Sequence, residues 1–176
     1  MLQLSQVFLT FNEGTMDEKK ALQHVNLDLK HGDFLTIIGS NGAGKSTMMN
    51  IVSGSLLPDA GDVVIDESPV THLQEYKRAQ LIGRVFQDPM AGTAPSMTIE
   101  ENLAMAWSRN KKRKLIPGVT KKRKDLFREH LESLHLGLED RLSAKVGLLS
   151  GGERQALSLL MATFTEPKIL LLDEHT

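Results

Sequence analysis

The sequence has no cysteine, which excludes structural disulfides and thiolate-held metals. A reducing compartment agrees with that. It has little net charge: 21 Lys and Arg against 22 Asp and Glu leave −1, so the molecule as a whole exerts no strong pull on nucleic acid. No apolar run approaches the length of a membrane span. The opening MLQLSQVFLTFNEG lacks a basic stretch followed by an apolar block, so no signal peptide is read there. There is no repeat of domain scale. What remains is 176 residues, 40% hydrophobic and 24% charged, enough for one globular domain with a real core. A soluble protein is expected, reaching any membrane through a partner.

Apolar periodicity sets out an α/β chain. Leu2, Leu4, Val7, Leu9 and Phe11 alternate with one irregularity and predict a strand over 2–11. Val25, Leu27 and Leu29 predict a second. Phe34-Leu35-Thr36-Ile37-Ile38 is nearly all apolar, the pattern of a strand buried on both faces. A helix is expected from Lys45 to Ser53, closed by Gly54. Further strands are read over 61–66, 82–87 and 168–172, with a brief helix near 72–79. From 88 to 149 the pattern is helical. Thr98 and Glu101 form a capping-box start, and 121–136 places Leu126, Phe127, His130, Leu131 and Leu134 on one helical face. A last helix is expected over 151–165.

Two local echoes, Lys111-Lys112-Arg113-Lys114 and Lys121-Lys122-Arg123-Lys124, hold 8 of the 21 basic residues. A solvated helix–loop–helix surface is the preferred reading. No stacking aromatics are interleaved with these charges, which weighs against nucleic acid. Contact with anionic headgroups beside a membrane partner is a third reading.

Two motifs carry chemistry. Gly39-Ser40-Asn41-Gly42-Ala43-Gly44-Lys45-Ser46 fits G-x-x-x-x-G-K-[ST] between a strand pattern and a helix pattern. Backbone N–H groups can surround a phosphate only where side chains do not block them, and the helix N-terminus adds a favourable dipole. Lys45 is placed to reach the β- and γ-phosphates and the Ser46 hydroxyl to ligate Mg²⁺. The second motif is Leu149-Ser150-Gly151-Gly152-Glu153-Arg154-Gln155. Ser150 and Glu153 alone would start any helix as a capping box. Two glycines in the first turn weaken it, which suggests that something must approach this backbone closely.

LSGGERQ resembles the signature motif of ABC-type ATPases. Val85-Phe86-Gln87-Asp88-Pro89 resembles their Q-loop, and Ile169-Leu170-Leu171-Leu172-Asp173-Glu174 their Walker B strand and catalytic glutamate. The motifs occur in the family's order, and the likeness runs over essentially the whole chain. The resemblance implies a P-loop NTPase fold with an N-terminal antiparallel β subdomain and an inserted helical subdomain. It divides the chain into a nucleotide-binding core (1–87), a helical subdomain (88–149) and the signature helix with Walker B (150–176).

The resemblance also implies a mechanism. Two ATP molecules lie between two head-to-tail ATPase subunits, each on the loop from Gly39 to Thr47 of one and under Ser150, Gly151 and Gly152 of the other. Gln87 would ligate Mg²⁺ and sense the partner, Asp173 would hold Mg²⁺ through water, and Glu174 would be the general base. An aromatic near the N-terminus stacks on adenine in this family. Phe11 is the matching candidate, with a core phenylalanine as the competing reading. Transmembrane permease subunits would dock on the helical subdomain, so the protein would sit peripherally on the cytoplasmic face of the membrane. The run GLLSGGERQALSLLMAT followed by DEHT looks like a branch working with substrate-binding-protein importers for amino acids or similar small solutes.

The sequence departs from the family at its end. A typical member continues past this point with an aspartate loop and a strand carrying a histidine that contacts the γ-phosphate. His175, next to Glu174, does not match it. A partial gene product that folds poorly and turns ATP over weakly alone is the expectation. A non-hydrolysing ATP-binding fragment or regulatory remnant is the second reading. A soluble ABC ATPase of DNA repair or translation ranks third, because those carry tandem domains or long coiled-coil insertions.

Overall fold

Alternation in the N-terminal third builds an antiparallel sheet. In the computed structural model, which describes residues 1–88, 90–109, 111 and 115–173, β1 (Leu2–Phe11), β2 (Lys19–Leu29), β3 (Ala60–Ile65) and β4 (Ser68–Pro69) lie in the order β2-β1-β3-β4. Leu2, Leu4, Val7 and Leu9 are buried, with Val63 and Ile65 from β3. The irregularity between Leu4 and Val7 is a register shift, with Gln6 at φ 50 and its N–H donated to the Asn26 side chain at 2.9 Å. The extra residue keeps Val7 and Leu9 on the same buried face as Leu2 and Leu4.

The chain divides into two compact units, Met1–Ile82 and Gly83–Thr176. The first holds this sheet, α1 (Lys45–Ser53) and the short α2 (Glu75–Arg78). Ile51 and Val52 of α1 are buried, and Gly54 ends the helix in the left-handed conformation.

One expectation is not met. No strand forms over 34–38. Phe34 and Ile38 are 87% and 90% exposed, and among the described residues no segment pairs with this one. Apolar composition shows what a strand gains by burial. It does not supply the neighbouring strands whose N–H and C=O groups would complete a ladder.

In the second unit, β5 (Ile82–Val85) pairs with β6 (Ile169–Leu172), and three helices enclose a core. These are α3 (Ile99–Ser108), α4 (Lys121–Glu132) and α5 (Gly151–Thr163). Ile99, Leu103, Phe127, Leu131, Leu138, Val146 and Leu157 are fully buried there. The capping box at Thr98 and Glu101 forms as expected. The helix expected over 121–136 ends at Glu132, just before His135 takes a positive φ. Of its anticipated face, Phe127 and Leu131 are buried and Leu134 packs at the margin, while His130 is exposed and stacks on Phe164 at 4.6 Å.

Lys111, Arg123 and Lys124 of the basic runs have partners within the fold. Lys111 lies 2.9 Å from the Trp107 ring centroid and Arg123 4.2 Å. Arg123 also donates to the carbonyls of Pro117 and Gly118, and Lys124 pairs with Glu100 at 2.8 Å. Lys112, Arg113 and Lys114 lie outside the described residues. Trp107 is the aromatic that neither run contains, supplied from the neighbouring helix.

Candidate nucleotide-binding site

Hydroxyl side chains cap three of the helices: Thr98 at α3, Thr120 at α4 and Ser150 at α5. The start of α1 has no side-chain cap, because its N-cap is Gly44. The orphan N–H groups of its first turn are thus left to an acceptor from outside the helix. Gly44 is fixed in two ways. Its φ is +88°, and a Cβ there would stand 2.5 Å from the Ala21 carbonyl oxygen in β2. The loop is therefore pressed against the sheet with backbone alone.

Lys45 folds back over this loop, donating to the carbonyls of Gly39 at 2.6 Å and Ser40 at 2.9 Å. The Ala43 N–H closes on the Ser40 carbonyl at 3.1 Å. Gly39, Ser40, Asn41, Gly42, Ala43 and Ser46 are exposed and Thr47 is half-buried. An ammonium, uncapped backbone N–H groups and an exposed hydroxyl at a helix start form a cradle suited to a polyphosphate.

Phe11 is not a core residue. It ends β1 with 36% of its surface exposed and pairs in register with Lys19 at the start of β2. The Lys19 ammonium lies 3.2 Å from where a Cβ on Gly42 would stand. The end of the β1–β2 hairpin thus brings a ring and a second lysine beside the loop. Sequence reasoning missed Lys19, because it reaches the loop only through hairpin register.

The second motif forms a different helix start. Ser150 accepts from the Glu153 N–H at 3.3 Å, and the Glu153 carboxylate accepts from the Ser150 N–H at 2.7 Å. Arg141 holds the other carboxylate oxygen at 2.6 Å, and Arg154 donates to the Leu149 carbonyl at 2.8 Å. The Ser150 backbone N–H above all, then the Ser150 side chain, and Arg141 more weakly, hold the Glu153 carboxyl below its usual range. A Cβ on Gly151 or Gly152 would meet nothing within 4 Å. Packing within the chain therefore gives no reason for either glycine. Both are exposed, as is Ser150.

Gln87 and Asp173 follow the ends of neighbouring strands. Gln87 is exposed two residues past β5. The Asp173 N–H donates to the Val85 carbonyl at 3.1 Å, which brings the two strand ends together. The Asp173 carboxylate is 3.7 Å from the Arg84 guanidinium. Arg84 is a further residue that sequence reasoning did not single out, since only strand pairing places it there. Glu174, the expected general base, lies outside the described residues.

Comparison with known proteins identifies the family. Residues 22–176 match the family described as ABC transporter. The chain is 44% identical over 177 residues to a tyrosine transport ATP-binding protein of Clostridioides difficile (strain R20291), covering all of this chain and 70% of that protein. It is 33% identical to a glycine betaine/carnitine/choline transport ATP-binding protein of Bacillus subtilis (strain 168), covering 99% of this chain and 42% of that protein. Among solved structures, a dimeric post-hydrolysis state of the ATP-binding cassette MJ0796 bound to ADP and Pi superposes with a TM-score of 0.81 at 30% identity. That match covers 98% of this chain and 73% of the other. A capless, lysine-bearing helix start and a second, glycine-opened one thus stand in a sequence and fold of one kind, and the chain belongs to the ABC transporter family of ATP-hydrolysing cassettes.

Proposed function

We propose that this chain couples ATP binding and hydrolysis, at a head-to-tail interface between two cassettes, to solute import through separate membrane subunits. The observation that carries the reading is the pair of dissimilar helix starts. One has no cap and a lysine folded over it. The other carries a capping box yet opens on two glycines where a Cβ would meet nothing within 4 Å. The first suits a phosphate chain held within one subunit. The second suits a phosphate presented by another.

In this reading Lys45 passes from two neutral loop carbonyls to charged phosphate oxygens, a stronger charge-assisted bond. The N–H groups from Gly39 to Thr47 surround the phosphates, and Phe11 stacks on adenine. Ser46, Gln87 and Asp173 supply a hydroxyl, an amide oxygen and a carboxylate, a donor set suited to Mg²⁺, which would neutralise phosphate charge. Glu174 serves as general base toward the attacking water, and Ser150, Gly151 and Gly152 of a second subunit close over the γ-phosphate. Residues 1–87 form the nucleotide-binding core, 88–149 the helical subdomain that meets the permease, and 150–176 the signature helix and Walker B strand.

Among the described residues no helix is long and apolar enough to cross a membrane. The subunit then works on the inner face of the membrane, with a substrate-binding protein delivering the solute. The tyrosine transport relative supports an amino acid as that solute.

Two measurements test this. Lys45→Ala should abolish binding of Mg-ATP in a titration, and affinity within a few-fold of the unsubstituted chain would remove the phosphate-loop assignment. Cells carrying Lys45→Ala in the encoding gene should lose ATP-dependent uptake of labelled tyrosine. Uptake that is absent from the parent cells would remove that solute.

A further inference from the structure

The side chain of Arg78 is completely buried, yet among the described residues no carboxylate pairs with it. Its partners are four backbone carbonyls. One terminal nitrogen donates to Ile51 at 2.6 Å and Val52 at 3.1 Å, the other to Thr71 at 2.6 Å, and Nε to Leu73 at 3.1 Å. Ile51 and Val52 belong to the last turn of α1, where the Ile51 carbonyl also accepts from the Gly54 N–H at 3.2 Å. Thr71 is fastened to the sheet in turn, since its hydroxyl accepts from the Val63 N–H at 2.8 Å. Gly54 makes room for the guanidinium: a Cβ there would lie 2.8 Å from Nε.

A buried cation without a counter-ion is costly, and burial pushes the Arg78 guanidinium below its usual value. The carbonyl pole of α1 provides the compensating negative potential. The opposite pole of the same nine-residue helix is the uncapped start at Gly44 and Lys45. A helix is a stiff rod on this scale. Fixing its C-terminal turn to the β3–β4 region therefore fixes where its N-terminal N–H groups point.

We propose that Arg78 is a positioning residue for the nucleotide: by riveting the C-terminal turn of α1 to the Thr71–Leu73 segment it sets the pose of the phosphate loop at the helix's other end. The inference rests on the reading that Gly39–Ser46 holds the phosphates. Lysine at this position would keep the charge but lose the planar fork that reaches two separate backbone segments.

The test is titration of the full chain with Mg-ATP, with thermal unfolding followed on the same samples. Arg78→Lys and Arg78→Met should each weaken ATP binding by about tenfold or more at a temperature where both remain folded. Val146→Ala, a cavity in the helical core of the second unit, serves as the control for lost stability alone. At a comparable drop in Tm it should leave affinity within about twofold. Millimolar guanidinium should restore part of the affinity of Arg78→Ala and leave the parent unchanged. Folded Arg78 variants that bind ATP as the parent does would overturn the proposal, as would an Arg78→Ala chain that guanidinium does not rescue. If the parent itself fails to bind, the phosphate-loop reading fails first and this inference with it.

Discussion

Arg141 and Glu153 meet at 2.6 Å beside the start of α5, and the other oxygen of the same carboxylate holds the Ser150 N–H at 2.7 Å. The arrangement resolves a conflict. An acid three residues into a helix favours the helix and opposes an anion arriving at its N-terminus. Arg141 offsets that charge without breaking the cap. Arg141→Gln is therefore expected to change the unfolding midpoint little, because Arg141 is exposed and water reaches the pair. It should weaken ATP-dependent association of two cassettes, measured by sedimentation velocity. Adding Glu153→Gln should restore association, since the uncompensated charge is then gone. A double variant no better than the single one would refute the electrostatic account.

The glycines separate folding from function. Gly44→Ala places a Cβ 2.5 Å from the Ala21 carbonyl oxygen at a φ of +88°. Left-handed strain of about 1–2 kcal/mol joins an overpacking cost of about 1–3 kcal/mol, so urea unfolding should shift markedly. Gly152→Ala meets nothing within 4 Å in a helical position. It should leave stability unchanged or raise it by up to about 1 kcal/mol, while impairing ATP-driven association. A Gly152→Ala chain that is stable and also associates normally would show that no ligand approaches that backbone.

Phe11 offers a similar contrast with Phe127. Phe127→Ala empties a fully buried site and should cost about 3–5 kcal/mol. Phe11→Ala removes an exposed ring and should cost far less. If the ring stacks on adenine, the loss should appear in ATP affinity, by roughly 5- to 150-fold for about 1–3 kcal/mol of stacking. Affinity for inorganic triphosphate, which has no base, should stay unchanged. Equal losses for both ligands would assign Phe11 to shaping the loop instead.

Local chemistry was legible in the sequence; proximity was not. The capping boxes at Thr98 and Ser150 formed as their spacing dictates, because both partners lie within one turn. Gly54 closed α1 for the same reason. Burial was harder to read. The run 34–38 is as apolar as any core strand yet is exposed, since burial depends on covering elements that its own residues do not encode. Arg78 is the converse. In Gln-Glu-Tyr-Lys-Arg it looks like a solvated charge, and only the convergence of α1 and the Thr71–Leu73 segment makes it an interior cation. Lys19 and Arg84 likewise reach the loop and Asp173 through strand register, which alternation announces without specifying.

Acid should act through the two capping boxes. The carboxyls of Glu101 and Glu153 are held below their usual value of 4.5, chiefly by the backbone N–H groups of Thr98 and Ser150. A carboxyl whose pKa is lower folded than unfolded binds protons more readily in the unfolded chain. Its contribution is therefore complete above about 4.5 and is lost as pH falls through the lower, folded-state value. Stability of the helical unit should be flat near neutrality and decline in acid. Glutamine at either position keeps an oxygen to accept from Thr98 or Ser150 but cannot titrate. The Glu101→Gln, Glu153→Gln double variant should fold at pH 7 and show a shallower fall in urea midpoint between pH 5 and 3 than the parent. A fall as steep as the parent's would place the acid sensitivity in other carboxylates.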